Sequence, residues 1–229
     1  MKRKIYIFLL SSCLFISPTF SQEDSGDNIK KEKKNAIAVS FGVPGFGIEY
    51  ARKISPKISA KVVWHSYTLK DYEQNDIELD GETINALINF KSSVYDIGFE
   101  WTPSLNSSFK FIAGLGIFSD FSLNGVATYT EDITVGNVTV TKQDVGEITA
   151  ETTWSGAAPY VGLGFGRAVP KRRLGFGIEL GTYISNSPDV NLQASKLLAP
   201  TANQEDTLRE ALSDLKFIPR ILFRLSYKF

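Results

Sequence analysis

The stretch Phe217-Ile-Pro-Arg-Ile-Leu-Phe-Arg-Leu-Ser-Tyr-Lys-Phe229 decides how the rest of the chain is read. Phe217, Pro219, Ile221, Phe223, Leu225, Tyr227 and Phe229 share one phase of a two-residue period. Ile218, Arg220, Leu222, Arg224, Ser226 and Lys228 share the other. A strand sends alternate side chains to opposite faces, so one face is apolar and aromatic while the other carries Arg220, Arg224 and Lys228.

Working back towards the N-terminus, the same alternation recurs. Leu174, Phe176, Ile178, Leu180 and Ile184 oppose Gly175, Gly177, Glu179, Gly181 and Tyr183. Val161, Leu163 and Phe165 oppose Tyr160, Gly162, Gly164 and Gly166, and Tyr95, Ile97, Phe99 and Trp101 oppose Val94, Asp96, Gly98 and Glu100. Phe109, Phe111, Ala113, Leu115 and Ile117 form another apolar face, as do Ile58, Ala60, Val62 and Trp64. Strands of a soluble sandwich run about five or six residues. These run about twice that, which suits a tilted strand crossing a bilayer.

The connections alternate too. Ser55-Pro56, Pro103–Ser107 and Val169–Arg172 read as short turns, whereas 69–90, 121–153 and 185–215 read as long polar loops. Short turns on one side and long loops on the other is the layout of an outer-membrane barrel. Tracing strands back from Phe229 gives 217–229, 172–184, 156–168, 108–120, 91–102, 57–68, 46–54 and 36–43. The predicted fold is all-β: an eight-stranded antiparallel transmembrane β-barrel with short periplasmic turns and long extracellular loops. The apolar phase switches from odd (Ile37, Val39, Phe41, Val43) to even (Phe46, Ile48, Tyr50) across Pro44-Gly45. That break is either a hairpin turn or a bulge in one long strand.

Composition by itself hides this. The chain has 25 Lys+Arg against 25 Asp+Glu, which argues against a nucleic-acid partner. Its mean hydropathy of −0.07 excludes a helical membrane bundle but not a barrel, whose polar phase offsets its apolar one.

The N-terminus follows the plan of an export signal: Lys2, Arg3 and Lys4, an apolar core over 5–16, then small residues Thr19 and Ser21 before Gln22. Residues 1–21 are read as a cleaved signal peptide, 22–35 as a flexible periplasmic lead-in and 36–229 as the barrel domain. Cys13 is the only cysteine. A lipoprotein cut there would leave Leu14-Phe15-Ile16 on the mature chain, so Cys13 is read as part of the signal.

The signal peptide, the barrel-length alternation and the terminal strand 219–229 together resemble small outer-membrane β-barrels of the OmpA/OmpW-like kind in Gram-negative bacteria. Phe41-Gly-Val-Pro-Gly-Phe-Gly-Ile-Glu-Tyr50 and Ala158-Pro-Tyr-Val-Gly-Leu-Gly-Phe-Gly166 are similar in style to such barrels. The resemblance implies a location in the cell outer membrane. It also implies contact with membrane lipid and lipopolysaccharide, and recognition of Tyr227 and Phe229 as a C-terminal signal by the barrel-assembly machinery.

If the apolar set faces lipid, the interior set holds Glu49, Asp96, Glu100 and Glu179 with Lys61, Lys110, Arg220 and Arg224. Four acids against four bases predicts a self-neutralising plug, since unpaired buried charge is costly. Glycines 162, 164, 166, 175, 177 and 181 leave room for long side chains opposite. Gly175-x-Gly177-x-x-x-Gly181 lies in one strand phase and opens no helix, so it does not read as a nucleotide loop. Trp64, Trp101, Tyr183 and Tyr227 are candidates for interfacial girdles.

His65, the only histidine, stands beside Ser66. That pair would be the seed of a lipid A-modifying triad, but no acid stands at a diagnostic spacing. Asp76-x-Glu78-x-Asp80-Gly81 begins like a calcium loop and then has Leu87 where a Glu is required, so 69–90 reads as a solvated acidic loop. Residues 126–141 alternate weakly, as strands extending beyond the membrane would. Asn203 is a candidate cap for a helix over 203–216 with Leu208, Ala211, Leu212 and Leu215 as its apolar stripe. The helix would lid the barrel or dock a partner.

The function expected from these residues is an integral outer-membrane barrel with a structural or surface-interaction role and a plugged interior. It needs no cofactor and is not an enzyme. The alternatives are a narrow channel or a binder for a small, hydrophobic ligand and, third, a lipid A-modifying enzyme using His65 and Ser66.

Overall fold

The computed structural model describes residues 33–79, 82–135 and 138–229. The signal-peptide reading of 1–21, Cys13 and the lead-in as far as residue 32 lie outside the described residues.

Among the described residues eleven strands run in chain order: β1 (Asn35–Val43), β2 (Phe46–Lys53), β3 (Ile58–Leu79), β4 (Glu82–Trp101), β5 (Phe109–Tyr129), β6 (Ile133–Val135), β7 (Val138–Val140), β8 (Glu147–Phe165), β9 (Leu174–Ile184), β10 (Asp189–Ala194) and β11 (Phe217–Lys228). Helix α1 (Lys142–Val145) precedes β8, and a 3-10 helix (Lys196–Gln204) leads into α2 (Glu205–Ala211). Among the described residues no helix is long and apolar enough to cross a membrane.

Eight strands close into an antiparallel ring, β1-β2-β3-β4-β5-β8-β9-β11 and back to β1. Closure pairs Ala36 with Lys228 and Val43 with Ile221, so the terminal strand is stitched to the first. The eight-stranded barrel read from the alternation is therefore the fold. The first hairpin is two strands: Ser40 pairs with Gly47 and Ala36 with Ala51 around Pro44-Gly45.

Four strands are longer than the alternation shows: β3, β4, β5 and β8 run 22, 20, 21 and 19 residues. Residues 69–79 and 82–90 are paired strand and not irregular loop, with Tyr72 opposite Ile88 and Leu79 opposite Glu82. Beyond the apolar belt neither face needs to be apolar, so the two-residue contrast fades while the backbone ladder continues. Two bulges interrupt it, at Asp71 and Asp76, whose φ values are 52° and 57°. Asn89 and Asn85 side chains accept the N–H groups these bulges leave over. Asp76 and Glu78 lie within β3, so the start of the calcium-like motif is strand; Asp80 and Gly81 lie outside the described residues.

The extended part of β8 pairs with β10, leaving β10 as an open sheet edge. An unpaired edge is a pairing hazard, and here α2 lies against it. Arg209 donates to the Val190 carbonyl and Leu192 N–H donates to Glu205 Oε2. Asn203 is not the cap. The chain is already coiled from Lys196, so Asn203 falls within the 3-10 helix and Gln204 precedes α2. Leu208 and Leu212 are half-buried, whereas Ala211 and Leu215 are exposed, so only half of the expected stripe is covered.

The outer face of the ring is apolar, with Ile37, Phe46, Phe99, Phe176 and Phe223 exposed. Trp64, Trp101 and Tyr227 point outward as expected. Tyr183 does not: it is fully buried inside the barrel, the phase its strand position requires.

Candidate functional site

All eight charged side chains assigned to the interior come together there, each 3% exposed or less. Glu179 of β9 is the hub. Its carboxylate accepts hydrogen bonds from Lys61 at 2.7 and 2.8 Å, Lys110 at 2.6 Å, Arg220 at 2.7 Å and Arg224 at 2.9 Å. Glu100 accepts from Lys61 at 3.1 Å, Lys110 at 2.7 Å and Arg224 at 2.7 Å. Glu49 meets Arg224 at 3.0 Å, and Asp96 takes the Arg220 guanidinium at 3.1 and 3.2 Å. Strand alternation delivers these groups to one lumen, and the narrowness of an eight-stranded ring forces contact across it.

Two tyrosines complete the site. Tyr183 donates to Asp96 at 2.9 Å, and Arg220 lies 4.7 Å from the centroid of the Tyr160 ring. Glycines make the space. A Cβ on Gly98 would stand 2.1 Å from the Tyr160 hydroxyl, and one on Gly116 would stand 2.7 Å from the Tyr183 ring. Tyr160 and Tyr183 were legible as inward by phase, but nothing in their identity told of the partners they meet.

The network is closed at both ends. On the short-turn side the segment after β8 folds inward: Ala168 N–H donates to Glu100 Oε2 at 2.8 Å, and Ala168 and Val169 pack on Ala36 and Ala51. Arg167 anchors that turn by donating to the carbonyls of Ser104, Leu105 and Ser107. On the long-hairpin side Phe118, Phe121, Ile218 and Val94 form an apolar layer, with Phe90 and Trp154 against it. Phe118 and Phe121 both face inward because the β5 register shifts between them.

His65 is buried, with Nε2 3.4 Å from Asp96 Oδ2. Ser66 follows it on the strand and so points to the other face. The His65–Ser66 pairing expected of a lipid A-modifying site does not form: the acid is beside His65, but the adjacent serine is on the wrong side of the sheet.

No family model and no curated protein matches this chain. Among solved structures it is similar to CarO of Acinetobacter baumannii, at 18% identity and a TM-score of 0.60, covering 86% of this chain and 98% of that one. It is also similar to CarO2 of Acinetobacter baumannii, at 14% identity and a TM-score of 0.62, covering 87% of this chain and all of that one. The chain shares their eight-stranded barrel fold. At these identities the likeness speaks to the fold, and it does not single out the OmpA/OmpW-like group.

Proposed function

We propose that the chain is an integral outer-membrane β-barrel with a structural or surface-interaction role, its lumen closed by ion pairs, and not an enzyme. The observation that carries this is the charge-matched lumen, four acids on four bases, sealed by Ala168–Val169 below and by Phe118 and Phe121 above. A permanently occupied lumen leaves the apolar outer face and the extended hairpins as the surfaces that do the work. On this reading the hairpin end meets lipopolysaccharide, and Tyr227 and Phe229 on the outer face are what the barrel-assembly machinery reads.

Conductance in a planar bilayer tests the closed lumen. The refolded chain is expected to give no stable conductance. A steady conductance that shifts with Glu100→Ala or Arg220→Ala would replace the plug by a narrow channel.

A further inference from the structure

We propose that the short-turn end of the barrel is a docking collar for anionic phospholipid headgroups, an assignment that rests on the outer-membrane reading above. Charge is divided along the barrel axis. Among the described residues of the short-turn end (33–35, 51–58, 101–109, 166–174 and 226–229) there is no Asp or Glu, while Lys and Arg recur. The opposite end carries Asp71, Glu73, Glu131, Asp132, Glu205 and Asp206 among its many acids.

Register makes the cations contiguous. Lys228 N–H donates to the Arg173 carbonyl, Lys228 pairs with Ala36, Asn35 pairs with Arg52, and Lys53 N–H donates to the Lys34 carbonyl. Arg172-Arg173, Lys228, Lys34 and Arg52 thus follow one another around the rim, and the next turn adds Lys57. Arg52, Lys57, Arg172 and Arg173 are exposed and have no ion-pair partner among the described residues. Like charges set side by side repel, so these exposed cations favour an anionic partner.

Position selects the kind of anion. Arg52 lies two residues beyond Tyr50 on the outward face of β2, and two residues of strand are about 7 Å; Arg172 and Arg173 lie exposed in the turn immediately before Leu174 opens β9. The cations therefore stand just past the lipid-facing belt, at the level of headgroups, with Tyr50, Trp101 and Tyr227 beside them. Above Arg52 an open groove of about 490 Å³ on the outer surface is lined by Ile37, Ile48, Tyr50, Val62, Trp64 and Ile97. Cations below an apolar groove fit one molecule with an anionic head and an acyl chain. A guanidinium suits a phosphodiester because its planar fork matches two oxygens at once.

The full chain, refolded in detergent, is tested by native mass spectrometry with phosphatidylglycerol and phosphatidylethanolamine of identical acyl chains. Wild type is expected to retain phosphatidylglycerol at least tenfold better. The Arg52→Gln/Lys57→Gln/Arg172→Gln/Arg173→Gln variant is expected to lose that preference while keeping its heat-modifiable gel mobility. Equal retention of both lipids by a heat-modifiable wild type would overturn the collar and leave the barrel reading standing. A preference unchanged in the variant would do the same, as would displacement of the lipid by glycerol phosphate at equal concentration. Pelleting with peptidoglycan that the variant abolishes, without any lipid preference, would give the collar to that polymer instead. Loss of heat-modifiable mobility in wild type would overturn the barrel reading and the collar with it.

Discussion

Lys61 of β3 and Glu179 of β9 lie 118 positions apart in the chain and meet at 2.7 Å in the middle of the barrel. Neither strand is hydrogen-bonded to the other, so only closure of the ring brings them together. Each sits among further charges of the opposite sign. This pair is the clearest sign that the interior is one network and not a set of separate ion pairs.

Removing the hub should cost far more than removing a surface charge. Glu179→Gln leaves Lys61, Lys110, Arg220 and Arg224 short of a shared carboxylate. Breaking a buried ion pair by deleting one partner costs about 3–5 kcal/mol. Urea titration of the refolded barrel, followed by the fraction with heat-modifiable mobility, is expected to show a loss of that size. A change under about 1 kcal/mol would mean that the lumen is wet enough to solvate the freed cations.

Tyr160 occupies space that glycine provides. Gly98→Ala would place a methyl group 2.1 Å from the Tyr160 hydroxyl, and overpacking of this kind costs about 1–3 kcal/mol. Combining it with Tyr160→Ala should cost less than the sum of the two single changes in the same unfolding assay, because the closest contact is then gone and only the 2.8 Å approach to the Ala113 carbonyl is left. Purely additive effects would show that the close approach relaxes at no cost.

Arg167 is the anchor of the inward turn. Its guanidinium donates to three backbone carbonyls, from Ser104, Leu105 and Ser107. Arg167→Ala should loosen the segment 166–173 and speed its cleavage after Lys171, Arg172 and Arg173 by trypsin added from the short-turn side of proteoliposomes. Hydrogen bonds to charged groups are worth about 1.5–3 kcal/mol, so the expected gain in cleavage rate is tenfold or more. An unchanged rate would show that Ala168, Val169 and Glu100 hold the turn without it.

The two residues of the abandoned triad should separate in their effects. His65→Ala removes a fully buried ring from beside Asp96 and is expected to cost about 1–3 kcal/mol in urea unfolding. Ser66→Ala, on the other face, should stay within about 0.5 kcal/mol. Lipid A from cells expressing the wild type and the His65→Ala chain is expected to have the same mass spectrum. A mass difference that depends on His65 would restore the enzyme reading.

Much of this was legible beforehand where lipid and lumen impose opposite demands on neighbouring residues. Ile221 and Leu222 look alike in composition, yet their phase places one outside and the other inside, as found. Where that demand stops, the reading stopped as well. Residues 69–79 and 82–90 are strand, but water on both faces erases the alternation that marks one. Phe121 carries the odd number of an outward residue, and the register shift after Phe118 turns it inward; only the polar pair Ser119-Asp120 hinted at a break. Tyr183 was misplaced because its chemistry suits a girdle, although its phase already pointed to the lumen.

The sequence by itself determined the strand periodicity and the inventory of interior charge, because each follows from local alternation against an apolar solvent; the pairing of Ala36 with Ala51 decided that the first segment is two strands and the ring eight. The tertiary structure alone decided who meets whom. Glu179 becomes the hub, Ala168 reaches Glu100, and scattered lysines and arginines become one rim, since ring closure and stagger set distances between residues that the chain leaves far apart. Local pattern can say which way a side chain faces. Only a closed barrel can say what it faces.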